Sequence, residues 1–152
     1  MRTALFAIVL VTACSSAKSP TIARDEAKQL LIDRNWIDHM PKDERDHLNV
    51  YRFVPSMGGG VFQDRTLYKG TFELFMFKVD GDQIDFNLPE THERVRSQFH
   101  IEKVSGPKPF DLKLTISNDP RGPHEYFGMR SEKDVDGSKL AGELQAAAAA
   151  TH

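Results

Sequence analysis

Few residues in this chain carry obvious chemistry. There is one cysteine, Cys14. A single thiol excludes an intramolecular disulfide and leaves one nucleophile or one attachment point. The six histidines are dispersed. His39 and His47 lie eight residues apart, as do His92 and His100, which is not the spacing of a helical metal pair, and no cysteine assists. Glu90-x-His92-Glu93 gathers three ligand-type side chains behind Pro89, where a solvated loop is the competing reading. Asp80-Gly81-Asp82 has residue types of a calcium loop but not its spacing or distal glutamate. Ser56-Met57-Gly58-Gly59-Gly60 is glycine-rich but lacks the lysine of a phosphate loop, and no Gly-x-Ser-x-Gly elbow occurs. Neither a cofactor nor a metal is called for, so catalysis ranks last among the functions considered.

Three charged residues fall within apolar strand patterns. Arg52 shares a face with Leu48, Val50 and Val54; Arg65 with Val61 and Leu67; Glu73 with Phe75, Phe77 and Val79. If those faces turn inward, the three charges enter the core, where a charge is costly unless it is paired or meets a ligand. Arg52, with Arg65, would then meet a carboxylate head group or Glu73. The competing arrangement turns Tyr51 and Phe53 inward and leaves Arg52 in water. Arg121-Gly122-Pro123 forms a cationic turn that is either a plain connection or a contact for a partner or lipid head groups.

The chain of 152 residues suits one domain. Twenty basic and 22 acidic residues give a net charge of -2. That balance supplies no excess of cations for phosphate, so nucleic acid is not expected as a partner. Ten Phe, three Tyr and one Trp suffice for a packed core.

Residues 1–14 read MRTALFAIVLVTAC. Arg2 precedes the apolar run Thr3 to Val11, which as a helix would rise about 14 Å, half a bilayer core. That is the size of a signal-peptide core and too short for a transmembrane span. Val11-Thr12-Ala13-Cys14 resembles the lipobox of bacterial lipoproteins. The resemblance implies a diacylglycerol on the Cys14 thiol, cleavage before Cys14 and acylation of the new amine. It therefore implies a membrane partner through the Cys14 anchor in a bacterial cell envelope. Ser15, not Asp, follows the cysteine, which by the family's sorting rule implies the outer membrane. Residues 14–20 then read as a lipidated, polar tether.

The remaining sequence supplies the elements. Ile22, Ala23, Ala27, Leu30 and Leu31 share one helical face, which predicts a helix over about 21–31. From Trp36 the period becomes two. Phe110 to Ile116, Gln83 to Leu88 and Val95 to Ile101 alternate apolar with polar, as half-buried antiparallel strands do. Asp-Gly at 80–81 predicts a type I′ hairpin between the strand 72–79 and the strand that starts at Gln83. With Trp36–His39, Asn49–Val54, Gly60–Tyr68 and Glu125–Met129, about eight short strands follow in series without a crossover helix. This predicts a mainly β fold, a small antiparallel up-and-down barrel with one N-terminal helix, or alternatively a β-sandwich. The domain spans 21–130, and the charged, Ala-rich tail 131–152 is expected to be largely disordered. Strand 72–79 is apolar on both faces, and the 21–31 helix is the expected cover for the second face.

A short helix, the pair Asn35-Trp36 and an eight-strand meander resemble the lipocalin-like barrels, although Arg34-Asn35-Trp36 stands where that family has Gly-x-Trp. The resemblance implies that Trp36 packs at a closed end and that the barrel holds a small apolar or amphipathic ligand. Its expected lining is Phe72, Leu74, Met76, Ile84, Phe86, Phe99, Leu112 and Leu114, the same residues that would simply be core in a filled barrel. In that second case the protein is a structural or accessory lipoprotein that presents Gly58–Gly60 or Asn118–His124 to an envelope protein.

Overall fold

The structure, a computed structural model, describes residues 22–132 and the isolated positions 142, 146 and 149. The signal-peptide, Cys14 and tether assignments, and the tail beyond Glu132, lie outside the continuously described residues. One helix, α1 (Arg24–Leu31), precedes eight strands: β1 (Asn35–Ile37), β2 (Leu48–Val54), β3 (Gly59–Arg65), β4 (Gly70–Asp80), β5 (Gln83–Leu88), β6 (Glu93–Lys103), β7 (Leu112–Ile116) and β8 (Glu125–Gly128). Each strand pairs antiparallel with the next, and β8 pairs with β1, closing the barrel. The fold is therefore the up-and-down, lipocalin-like barrel and not a sandwich. Closure gives every strand a neighbour on both sides, where an open sheet would leave two edge strands free to template association.

Register follows from the turns. Asp80 pairs with Gln83, Val79 with Ile84 and Phe77 with Phe86. Gly81 alone takes positive φ in that turn, at 61°, which is the II′ pattern and not the expected I′. The register puts Phe75, Phe77 and Val79 on the same face as Ile84 and Phe86. That face is the interior.

Inside, aromatic rings fill the barrel. Tyr51 stacks on Phe53 at 5.4 Å between centroids and meets Phe62, Phe75 and Tyr126 edge-on at 4.8, 5.6 and 5.1 Å. Phe86 lies 5.5 Å from Phe75. Gly60 on β3 sits between Phe53 and Phe75 in register, and the Phe75 ring takes up the space that a Cβ at Gly60 would enter. Leu112, Leu114, Ile116, Ile84 and Ile101 complete the packing.

Helix α1 closes the end of the barrel where β1 begins. Ala27, Leu30 and Leu31 join the core, the helix packs on β6, and Ile32 bridges to Phe53. Trp36 is wholly buried there and donates its indole N–H to the Leu31 carbonyl at 3.0 Å. Arg34 is also buried. Its Nε donates to the Leu30 carbonyl at 2.7 Å, its Nη1 to the Met129 carbonyl, and its guanidinium lies 5.9 Å from the Trp36 ring centre. A second apolar cluster, Ile37, Leu48, Val50, Leu67 and Phe110, lies on the opposite face of β1 and β2. The contacts of the body continue to Glu132, which is buried and accepts from the Asn35 backbone at 3.3 Å and from its side-chain amide.

Helix α1 does not cover the second apolar face of β4. It is spent on the barrel end, and Phe72, Leu74 and Met76 remain 69%, 54% and 48% exposed.

Candidate functional site

The β7–β8 connection lies at the end of the barrel opposite α1, because β8 runs antiparallel to β1. It folds inward over the mouth. Asp119, 8% exposed, is its anchor. The Tyr51 hydroxyl donates to Asp119 Oδ1 at 2.9 Å and the Tyr126 hydroxyl to Oδ2 at 2.6 Å. The Arg121 and His124 backbone N–H groups donate to the same two oxygens at 2.8 and 3.2 Å. A carboxylate offers about four acceptor sites, and here four donors fill them. Asp119 thus has no free lone pair with which to accept a proton from a substrate. Burial, and then the adjacent Asp119 charge, push both tyrosine hydroxyls far above the ordinary phenol range. Two neutral phenols fixed on a saturated carboxylate form a clamp, not an acid–base pair.

Arg121 completes the plug. Its guanidinium lies 5.4 Å from the Phe62 ring centre and its Nη1 pairs with Glu73 Oε2. The connection is held down along β6 as well, where Ser97 Oγ donates to the Asn118 carbonyl at 2.8 Å.

The expected site residues separate into three groups. Ile84, Phe86, Phe99, Leu112 and Leu114 do line the interior, where they pack as core. Phe72, Leu74 and Met76 do not line it; the hairpin register turns them outward. Arg52 and Arg65 do not enter the barrel either. Tyr51 and Phe53 turn inward instead, and Arg52 stands on the outer face, buried, opposite Asn35 and Val61. Arg65 is used locally: Nε donates to the Thr66 carbonyl and Nη2 to the Leu67 carbonyl, both at 3.0 Å, fixing the β3–β4 turn. Of the three charges only Glu73 keeps the inward parity, and its partner is Arg121, not Arg52 or Arg65. In the cationic turn Arg121-Gly122-Pro123, the Arg121 side chain is directed to Glu73.

Sequence reasoning missed Asp119, Tyr51 and Tyr126 as a unit. The available signal was Tyr51 alternating with Phe53, together with an Asn-Asp-Pro turn at 118–120. Among the described residues no cluster of His, Cys, Asp or Glu has metal-holding geometry, and no helix is long and apolar enough to cross a membrane. Comparison with protein-family models, curated proteins and solved structures finds no match to this chain.

Proposed function

We propose that this chain is a lipid-anchored accessory protein of a bacterial cell envelope, and that its barrel is a solid framework whose outer surface makes its contacts. The observation that supports this over the ligand-carrier reading is the filled interior. Tyr51, Phe53, Phe62, Phe75, Phe86 and Tyr126 occupy the barrel, while α1 closes one end and the Asp119 loop the other. A carrier needs an apolar cavity of about 300 Å³ or more. The anchor rests on the lipobox Val11-Thr12-Ala13-Cys14, and the outer-membrane address on Ser15. One acyl chain binds a membrane only marginally, at about 0.8 kcal/mol per buried methylene, so two or three chains on Cys14 would hold the protein firmly.

Two measurements test the reading. Radiolabelled palmitate is expected in the wild-type chain and absent from Cys14→Ala; equal labelling rejects the anchor. The apolar dye N-phenylnaphthylamine is expected to leave the emission of the single, buried Trp36 unchanged. A saturable change at one dye per protein would restore the carrier reading.

A further inference from the structure

Among the described residues, the outer face of β4 exposes a row of large apolar side chains. Phe72, Leu74 and Met76 stand at alternate positions and form a ridge of about 14 Å. Met57, 70% exposed, extends it at the β2–β3 turn. Between Met57, Val61, Leu74, Met76 and Pro89 lies an apolar recess of about 360 Å³. Large apolar side chains scattered singly on a surface need no explanation, but a contiguous row of them does.

Cations stand at both ends of this ridge, although the chain as a whole carries -2. At the Phe72 end, Arg65 and Lys69 share a depression with Phe72 and with Tyr68, which is 65% exposed. At the Met76 end, Lys78, Arg94 and Arg96 share one with Met76. Arg96 is paired to Asp85 at 2.6 Å, and Lys78 and Arg94 stand beside that pair. Carboxylates also stand nearby: Asp80, two residues beyond Lys78 and acting on Arg96; Asp64 and Glu93, next to Arg65 and Arg94 in the chain; and Glu44, which accepts from the Tyr68 hydroxyl at 3.0 Å. An apolar row with an aromatic hydroxyl and lysine or arginine at its margins matches the layering of an anionic bilayer surface. Apolar side chains enter the acyl boundary, and cations meet lipid phosphates.

The covalent path leads to the same strand. Ile22 shares a recess with Gly81 and Asp82, the turn that ends β4. Cys14 and Ile22 are eight residues apart, so the chain limits their separation to about 28 Å. An acyl group on Cys14 would thus hold the end of the barrel where β4 finishes, beside β6 and β7, within that distance of the membrane. We propose that the outer face of β4 is a membrane-docking surface that rests on an anionic lipid bilayer, with Phe72, Leu74 and Met76 inserted and Arg65, Lys69, Lys78 and Arg94 on the head groups. The inference rests on the anchored, outward-working reading above and names the surface it uses.

A full-length Cys14→Ser chain with one new thiol tests it. A nitrobenzoxadiazole probe is placed at Leu74→Cys on β4 or at Glu125→Cys on β8, the opposite wall. Vesicles contain phosphatidylglycerol in phosphatidylcholine, with a nitroxide quencher on the acyl chains. Quenching at position 74 is expected to exceed that at 125 by about threefold or more, since an inserted face lies about 5–10 Å into the boundary. Lys78→Gln with Arg94→Gln is expected to weaken the partitioning of the probe at 74 by roughly twenty-five-fold, at about fivefold per cation. Equal quenching at both positions, or none at either, overturns the proposal. So does quenching at 74 that is unchanged in pure phosphatidylcholine. Shielding of the probe at 74 by purified envelope proteins, without response to protein-free vesicles, overturns it in favour of a protein partner. Because Cys14 is absent in these chains, palmitate labelling of the wild type reads the anchor separately.

Discussion

The two faces of β4 carry nearly the same composition and meet opposite fates. Phe75, Phe77 and Val79 turn inward and join Tyr51, Phe53 and Phe86 in the filled barrel. Phe72, Leu74 and Met76 turn outward and stay about half exposed or more among the described residues. Hydrophobicity therefore does not decide burial here; strand parity relative to the neighbouring strands does. Shifting the register by one residue would exchange the two rows. The inner row holds the protein together, and the outer row is free to serve a surface. Substitutions on the two faces should separate stability from docking.

The largest effect is expected inside. Phe75→Ala should cost about 4 kcal/mol, because the ring is fully packed and the cavity cannot collapse against the fixed walls of the barrel. Denaturant unfolding of the purified protein measures it. Leu74→Ser, one residue away on the other face, should change stability by no more than about 0.5 kcal/mol. A large loss at Leu74 would end the contrast between the faces.

Next comes the mouth. Asp119→Ala leaves two buried tyrosine hydroxyls without an acceptor and releases the β7–β8 loop, at a cost of about 3 kcal/mol. Asp119→Asn keeps an acceptor oxygen and should cost less. Equal losses in the two variants would mean that the size and single acceptor that Asn retains count for little, and that the second carboxylate oxygen or its charge closes the barrel. Gly60→Ala should cost about 1–3 kcal/mol, because its Cβ meets the Phe75 ring and the Arg52 carbonyl oxygen.

The smallest effect is a pH dependence. Tyr51 and Tyr126 hold their protons in the folded state far above the ordinary phenol pKa of about 10. The unfolded chain loses those protons above that pH, so the stability the two groups contribute is full below pH 10 and declines as pH rises past it. Absorbance at 295 nm should show exposed Tyr68 titrating reversibly, with its bond to Glu44 holding it above the usual value. Tyr51 and Tyr126 should titrate only as the protein unfolds. Three tyrosines titrating together in the native state would refute the buried clamp.

Much of the framework was legible from residue order. Alternation located the strands to within a few residues, as at Gln83–Leu88, and the Asp-Gly turn marked the central hairpin. That turn also carried information beyond its position. A two-residue hairpin that pairs Val79 with Ile84 already places Phe77, and not Met76, beside Phe86. The lining set that joined Phe72, Leu74 and Met76 to Ile84 and Phe86 conflicts with that register. Parity put Glu73 on one face with Phe75 and Phe77 but left open which way that face turns, and its partner Arg121 lies 48 residues away in a loop with no alternation to read.

Local sequence thus determined the helix, the strands and their antiparallel order, because each depends on neighbours within a few residues. Tertiary structure alone decided where α1 is spent, which charge enters the barrel and which apolar row stays bare. Those outcomes depend on closure between β8 and β1 and on a loop that must reach across the mouth. Neither is encoded in the spacing of any single segment. A helix with one apolar face can cover one surface only, and by closing the barrel end it leaves the outer face of β4 exposed.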